Sequence, residues 1–433
     1  MSKETSILYD YPTEPVPQDK RRTWLNLSFV TAGLSVAMST LYTGATLATV
    51  LNYEDAVFAI IGGCIFLFFM AGIMGGIGAD KGVTFSVLSR HAFGRFGSRI
   101  VGLIWAISLT GWFAYQSGFF GQTINIMFPD AAITQVTPAT IWGGLLMMTT
   151  AIIGFKGLAI LSSVASPIIL LVCVLGAVLA FNNVGLEAIA AMQPEDPSTL
   201  ATGVTIVIGG WIVGAIMQPD VSRYVKSSSQ NWVACGLAMV VFGVATFSGM
   251  VMVKAASADN IMQAMVGLGM GVASLLMVIL AQWTSNDNNL YSASLGVANI
   301  KAIPKWRIAL VLGIIATAIA AIGITGFFVP FLVFLGVFIP PIGGVIAIDY
   351  YVLGKKDQYR FQPDTQYRQW NIAAIVAVVL GGFAASQLSF GVGAINAFIL
   401  GGLFYGIIMK LTEAVNMSTY IGRKTLHGEP DKT

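Results

Sequence analysis

Stretches of about twenty apolar residues, separated by short polar connections, recur along the whole chain, and no other feature constrains its folding as much. A run of that length, coiled as an α-helix, matches the roughly 30 Å hydrocarbon core of a bilayer. In lipid every backbone N–H and C=O must be satisfied within the segment, which leaves the helix as the natural form for such runs. Only 10% of the 433 residues are charged and 56% are hydrophobic, whereas a soluble globular protein carries roughly 25% charged residues. Soluble globular, disordered and nucleic-acid-binding classes are thereby excluded. A net charge of +3 is too small to call for a polyanionic partner. The 48 glycines would weaken soluble helices but suit close helix packing in lipid. The fold class is all-α, a polytopic membrane protein whose surroundings are the lipid bilayer.

The apolar runs thread as twelve spans, near 24–50, 55–78, 98–128, 139–155, 158–181, 199–217, 231–253, 265–298, 306–322, 327–351, 370–387 and 391–410. This divides the chain into an N-terminal segment 1–23, a membrane domain 24–411 and a tail 412–433. Basic residues fall on one set of connections: Lys20, Arg21, Arg22, Lys81, Arg90, Arg95, Arg99, Lys156, Arg223, Lys226, Lys301, Lys305, Arg307, Lys355, Lys356, Arg360 and Arg368, with Arg423, Lys424 and Lys432 in the tail. The opposite set holds Lys254 alone. By the excess of Lys and Arg in cytoplasmic loops, both termini are expected in the cytoplasm and the protein in the inner, cytoplasmic membrane. Residues 1–23 are polar and contain Pro12, Pro15 and Pro17, so no cleavable signal peptide is expected ahead of the first span.

Catalytic and metal chemistry find little footing. Cys64, Cys173 and Cys235 lie singly in separate apolar stretches, and the histidines are His91 and a tail His427. No His/Cys/carboxylate cluster has metal-ligand spacing, so neither an enzyme nor a resident cofactor is expected. No large soluble domain suggests a receptor, no filter-like loop a channel, and nothing calls for an obligate protein partner. Glycine-rich spans with polar residues at mid-depth point to transport.

Three spans carry those residues. In the third, SLTGWFAYQSGFFGQ, Trp112 and Gln116 are four apart and share a helix face. An indole offers its face to a flat heteroaromatic ligand, and a carboxamide both donates and accepts in the ligand plane. A core Trp beside a Gln bonded to a neighbouring helix is the plainer alternative. In the sixth span, VIGGWIVGAIMQPD, Gly209 and Gly210 precede Trp211. Two glycines weaken a helix locally; a break there would free the Gly210 carbonyl for a ligand, as in discontinuous transporter helices, while close packing explains the pair equally well.

The eighth span, ILAQWTSNDNNLYSASLGVANI, is the most polar at apparent membrane depth. Ala281, Thr284 and Ser285 are spaced i, i+3, i+4, so a carbonyl and two hydroxyls converge, an oxygen set suited to Na⁺. Hydroxyls bonding back to the preceding turn are the alternative. Asn286, Asp287, Asn288 and Asn289 follow and must face a cavity or a partner helix. Asp220 and Arg223 read as a structural or gating pair. Pro340, Pro341, Gly343 and Gly344 read as a hinge, Asp349 as a solvated or paired carboxylate, and Lys156 as a charge anchor.

These segments resemble the nucleobase:cation symporters, the purine and cytosine permeases. The likeness rests on LYTGATLATVLNY at 41–53, VLSRHAFGRFGSR at 87–99, GWFAYQ at 111–116, PDVSRY at 219–224, WTSNDNNLYSASLGVANI at 283–300 and FIPPIGGVIAIDYY at 338–351. The resemblance implies a LeuT-like fold: two inverted five-helix repeats, about 24–181 and 199–351, plus two extra helices at about 370–410. It implies a substrate sandwich of Trp112 and Trp211, with in-plane bonds from Gln116, the Gly210 carbonyl, Asn286 and the neighbouring Asn289. It also implies a Na⁺ site of the Gly33, Val36 and Ala281 carbonyls and the Thr284 and Ser285 hydroxyls. Two positions depart from the cytosine permeases: Leu109 stands where a Gln is expected, and Trp211 where a Phe is. Both look more like the hydantoin-type branch.

The function implied is secondary active import of a nucleobase, cytosine first, with purines, uracil, allantoin or hydantoins behind it. Na⁺ is the expected coupling ion, with H⁺ as the alternative through Asp287. An amino-acid transporter of the same fold is the nearest rival, and would need charged partners that neither tryptophan has beside it.

Overall fold

The computed structural model describes residues 11–414 apart from 12, 154, 259, 302, 354–355 and 363–364. Pro12, Lys355, Arg423, Lys424, His427 and Lys432, together with the side chain of Lys156, lie outside the described residues. The rest forms α1 (Trp24–Ser35), α2 (Met38–Val50), α3 (Tyr53–Lys81), α4 (Phe85–Met127), α5 (Val136–Ile153), α6 (Phe155–Val184), α7 (Leu186–Ala191), α8 (Leu200–Ile216) and α9 (Pro219–Ser222). The order continues with α10 (Ser228–Ala256), α11 (Ile261–Gly267), α12 (Gly271–Ala298), α13 (Lys305–Ala321), α14 (Phe328–Phe338), α15 (Pro340–Ala347), α16 (Ile372–Gln387) and α17 (Gly393–Ala414). Among the described residues, extended backbone pairs in an isolated bridge between Arg22 and Val225.

Each of the twelve expected spans has its counterpart. Among the described residues, seven helices are long and apolar enough to cross a bilayer, and the α1–α2 pair, bent by 55°, makes an eighth. The others are shorter (α5, α13, α16) or, in α12, carry the Asn-Asp-Asn-Asn run. The side chains of Ile107 and Leu171 are 63% and 68% exposed, as lipid-facing residues must be.

Three elements differ from the sequence reading. The first span is two helices: α1 stops at Ser35, Val36 leaves helical geometry (φ −107°, ψ 75°), and α2 starts at Met38. Thr40 staples this break, its hydroxyl donating to the Ser35 carbonyl (2.8 Å) and accepting from the Ala37 amide (3.4 Å). The third span starts at Phe85 rather than near 98, because Arg90, Arg95 and Arg99 lie on a helical extension. That extension turns at Gly94 (φ 80°), where backbone from 368–371 packs so closely that a Cβ would sit 2.9 Å from the Gln369 carbonyl. The eighth span begins at Gly271, and 261–267 form the separate α11.

Helix crossings rest on small residues. A Cβ on Gly102 would lie 2.8 Å from the Gly296 carbonyl, so α4 and α12, the most extensively packed pair, touch backbone to backbone. The presumed hinge at Pro340–Gly344 holds helical angles at Ile339 (φ −86°, ψ −42°). Gly344 there meets the Phe398 carbonyl of α17 instead of bending the span.

At the end of the molecule that carries the basic loops, the segment before α1 is strapped to the end of α3 and to the connection after α9. The Val16 amide donates to Gly82 (2.8 Å), Arg21 Nη1 to Ala79 (2.5 Å), and the Arg22 amide to Tyr224 (2.5 Å). Arg223, fully buried, donates to the Tyr11 carbonyl (2.6 Å) and to the hydroxyls of Tyr224 and Tyr291 (3.1 and 2.9 Å). Asp220 accepts from the Phe85 amide (2.7 Å), so both residues serve the joints between helices. Asp349 is buried and paired, accepting from Tyr359 (2.7 Å) and Tyr405 (2.6 Å). At the opposite end Lys254 donates to the carbonyls of Leu51 and Met192, both at 3.1 Å, tying two helix ends together.

Candidate substrate site

Four helices meet around a narrow cavity of about 30 Å³, well below the roughly 300–1,000 Å³ of an open small-molecule site. The first turn of α2 brings Ala37, Ser39 and Thr40; α4 brings Leu109, Trp112 and Gln116; α8 brings Gly210, Trp211, Val213, Gly214 and Met217; α12 brings Ser285 and Asn289. The spacings account for the convergence. Leu109, Trp112 and Gln116 stand at i, i+3, i+7 on one face of α4, and Ser285 and Asn289 at i, i+4 on one face of α12.

The two tryptophans are held on opposite supports. Trp112 packs edge-on against Phe328 (6.1 Å between centroids) and Phe331 (5.3 Å) at the start of α14. The Trp211 ring folds back over its own helix, close enough that a Cβ on Gly214 would lie 2.8 Å from Cε2, and tilts against Phe242 at 6.4 Å. Its Nε1 is buried without a protein partner. Gln116 donates from Nε2 to Ser39 Oγ (3.0 Å), while its Oε1 is buried and unpartnered. None of the residues lining the cavity is charged.

The structure thus brings together Trp112, Gln116, Gly210, Trp211, Ser285 and Asn289. Asn286 stands apart: its Nδ2 lies between α4 and α5, 3.4 Å from the Phe113 carbonyl, 3.2 Å from Ser117 Oγ and 3.2 Å from Met147 Sδ. Its amide bonds between helices rather than along the cavity wall. The expected break at the glycine pair is also absent, since α8 runs from Leu200 to Ile216 without interruption. Gly209 is there for packing, because a Cβ would meet the Leu332 carbonyl at 2.1 Å. Ser39, Thr40 and Met217 escaped the sequence reading. Ser39 and Thr40 became visible only once the first span proved to be broken, and Met217 only with the end of α8 against the cavity.

The oxygen cluster is partly assembled by local geometry. Thr284 Oγ1 lies 3.1 Å from the Ala281 carbonyl and 2.8 Å from that of Leu280, the back-bonding foreseen as the alternative. Ser285 Oγ is buried without a partner. On the facing helix α1, the Ala37 amide that would close onto the Gly33 carbonyl goes to Thr40 instead, and Val36 leaves helical angles although its amide still donates to the Ala32 carbonyl (2.9 Å). α1 packs against α12. Among the described residues no group of three His, Cys, Asp or Glu side chains could hold a metal ion.

Residues 15–407 match the sequence profile of a family described as "Permease for cytosine/purines, uracil, thiamine, allantoin". The chain belongs to this family. It is 32% identical over 403 residues to the cytosine permease of Escherichia coli K12, covering 91% of this chain and 93% of the relative. It is 24% identical to the purine-uracil permease NCS1 of Arabidopsis thaliana, covering 94% and 78%. Its fold matches that of the nucleobase-cation-symport-1 transporter Mhp1 in a closed conformation with bromovinylhydantoin bound, with a TM-score of 0.79, 19% identity, and coverage of 95% and 100%. The chain is therefore a multi-pass membrane permease with the LeuT-like fold, and not an enzyme.

Proposed function

We propose that the chain imports cytosine, or a close nucleobase relative, by symport with Na⁺. One observation carries the reading: an uncharged cavity flanked by two indoles, with the amides of Gln116 and Asn289 on its wall. A planar base slides between aromatic faces and is told apart by its in-plane donors and acceptors. An amino acid would bring an ammonium and a carboxylate into a wall with no charge to meet them. The 32% identity to a cytosine permease favours cytosine, while Leu109 on the wall gives one fewer polar partner and keeps purines, uracil, allantoin and hydantoins as the next candidates.

Na⁺ would sit between the α1–α2 break and α12, on the carbonyls of Gly33, Val36 and Ala281 and the hydroxyls of Thr284 and Ser285. The Ala37 amide turned to Thr40 instead of Gly33 and the unpartnered Ser285 hydroxyl support this seat. Na⁺ assists the substrate by favouring the conformation in which both sites are formed. The basic end, with both termini, faces the cytoplasm; the repeats are α1–α6 and α8–α15, and α16–α17 are the added pair. Membrane vesicles given an imposed Na⁺ gradient and radiolabelled cytosine, uracil, hypoxanthine, hydantoin and amino acids test the reading. Gradient-driven accumulation of cytosine supports it; accumulation of an amino acid alone overturns it.

A further inference from the structure

The cavity contains one polar contact that joins the broken first span to the amide of Gln116. Ser39, on the first turn of α2, accepts from Gln116 Nε2 at 3.0 Å, and both residues are nearly fully buried. Thr40, its neighbour, has its hydroxyl committed within the break, to Ser35 and Ala37. Ser39 is thus a hydroxyl that reaches out of the break toward α4. We propose that Ser39 is a positioning residue that couples the cation to the substrate by holding the Gln116 amide in its reading orientation.

The terminal torsion of a glutamine is broad and roughly two-fold, so an untethered amide presents either its oxygen or its nitrogen. With Nε2 held by Ser39, Oε1 remains unpartnered and is the atom left to accept from a ligand N–H. Ser39 lies three residues beyond Val36, whose carbonyl the proposed cation would bind. A cation that fixes the break therefore fixes the Ser39 hydroxyl, and the hydroxyl fixes the amide before the substrate arrives. Pre-organisation of this kind lowers the ordering cost of binding. Without the cation the break loosens, the tether goes with it, and the substrate must order the amide itself.

The inference rests on the sodium-symport reading, and its test separates the two. Binding of tritiated cytosine to the purified full-length protein is measured in NaCl and in choline chloride, and the ratio of the two Kd values is compared among variants. In Ser39→Ala the ratio is expected to fall by about 2- to 12-fold, the range that a single neutral hydrogen bond supplies. Ser39→Thr, which keeps the hydroxyl, restores it. Ser39→Cys keeps the shape with a slightly larger atom but offers a weak acceptor, and serves in place of the alanine variant if that one fails to fold. A purely structural Ser39 would weaken binding equally in both salts and leave the ratio at its wild-type value, which overturns the inference alone. A wild-type ratio of one, or no cytosine binding at all, overturns the transport reading and the inference with it.

Discussion

Replacing Trp211 by alanine removes one of the two aromatic faces of the cavity, and the structure separates the two consequences. The ring is 4% exposed and wedged between Gly214 and Phe242, so its loss leaves a hole costing about 3–5 kcal/mol of stability. Its loss as a stacking surface costs about 1–3 kcal/mol of binding, or roughly 5- to 150-fold in Kd. The first effect lowers the melting temperature of the empty protein; the second appears in the affinity of whatever remains folded. Trp211→Phe keeps an aromatic face while giving up part of the volume, so it should retain most of the affinity and lose some thermal stability. The assay is equilibrium binding of labelled cytosine at saturating Na⁺, normalised to monodisperse protein, beside a melting curve. Should Trp211→Ala bind like the wild type, or Trp211→Phe bind as weakly as alanine, the indole does not stack on the base.

Gln116→Leu and Asn289→Ala should reorder the preference among cytosine, uracil and hypoxanthine in competition assays, because a ligand edge left unpaired in a buried site costs about 1–3 kcal/mol. Uniform weakening across ligands would assign these amides to helix packing. Replacing Thr284 and Ser285 together by alanine should abolish the Na⁺ dependence of binding, a coupling of about 1–3 kcal/mol or roughly 5- to 150-fold. Wild-type uptake that ignores Na⁺ but collapses with a protonophore would move the coupling to Asp287, buried one turn further along α12. Gly209→Ala should destabilise the protein by about 1–3 kcal/mol, because its Cβ would press on the Leu332 carbonyl 2.1 Å away; an unchanged melting temperature would show that α8 and α14 are free to part.

Hydropathy located the twelve spans, because the bilayer sets a minimum apolar length for a crossing helix. It failed where charge and helix coexist: the arginines before residue 98 mark an extension beyond the apolar layer, still helical, which a polarity criterion reads as loop. The site was legible where spacing on one helix decides the geometry, as for Trp112 with Gln116. It was illegible where a neighbouring helix decides. Asn286 and Asn289 are three apart and equally polar, and only the position of α4 and α5 sends the first into a helix joint and leaves the second on the cavity wall. The break at 36–37 has no proline or glycine pair to announce it. A threonine hydroxyl replaces the missing backbone bonds there, and the Ser39–Gln116 contact became visible only with that break.

The strap ahead of α1 also sets an order of assembly during synthesis. The strap is made well before one of its partners, for the Arg223 guanidinium that donates to the Tyr11 carbonyl is 212 residues further along the chain. At about 5–20 residues per second, that partner emerges roughly 10–40 s later. For that interval the strap has its bonds to Ala79 and Gly82 but not those to Tyr224 and Arg223, and its full docking can come only after α8 and α9 are in place. The strap therefore settles in two steps, the first on α3 and the second only once α9 has arrived.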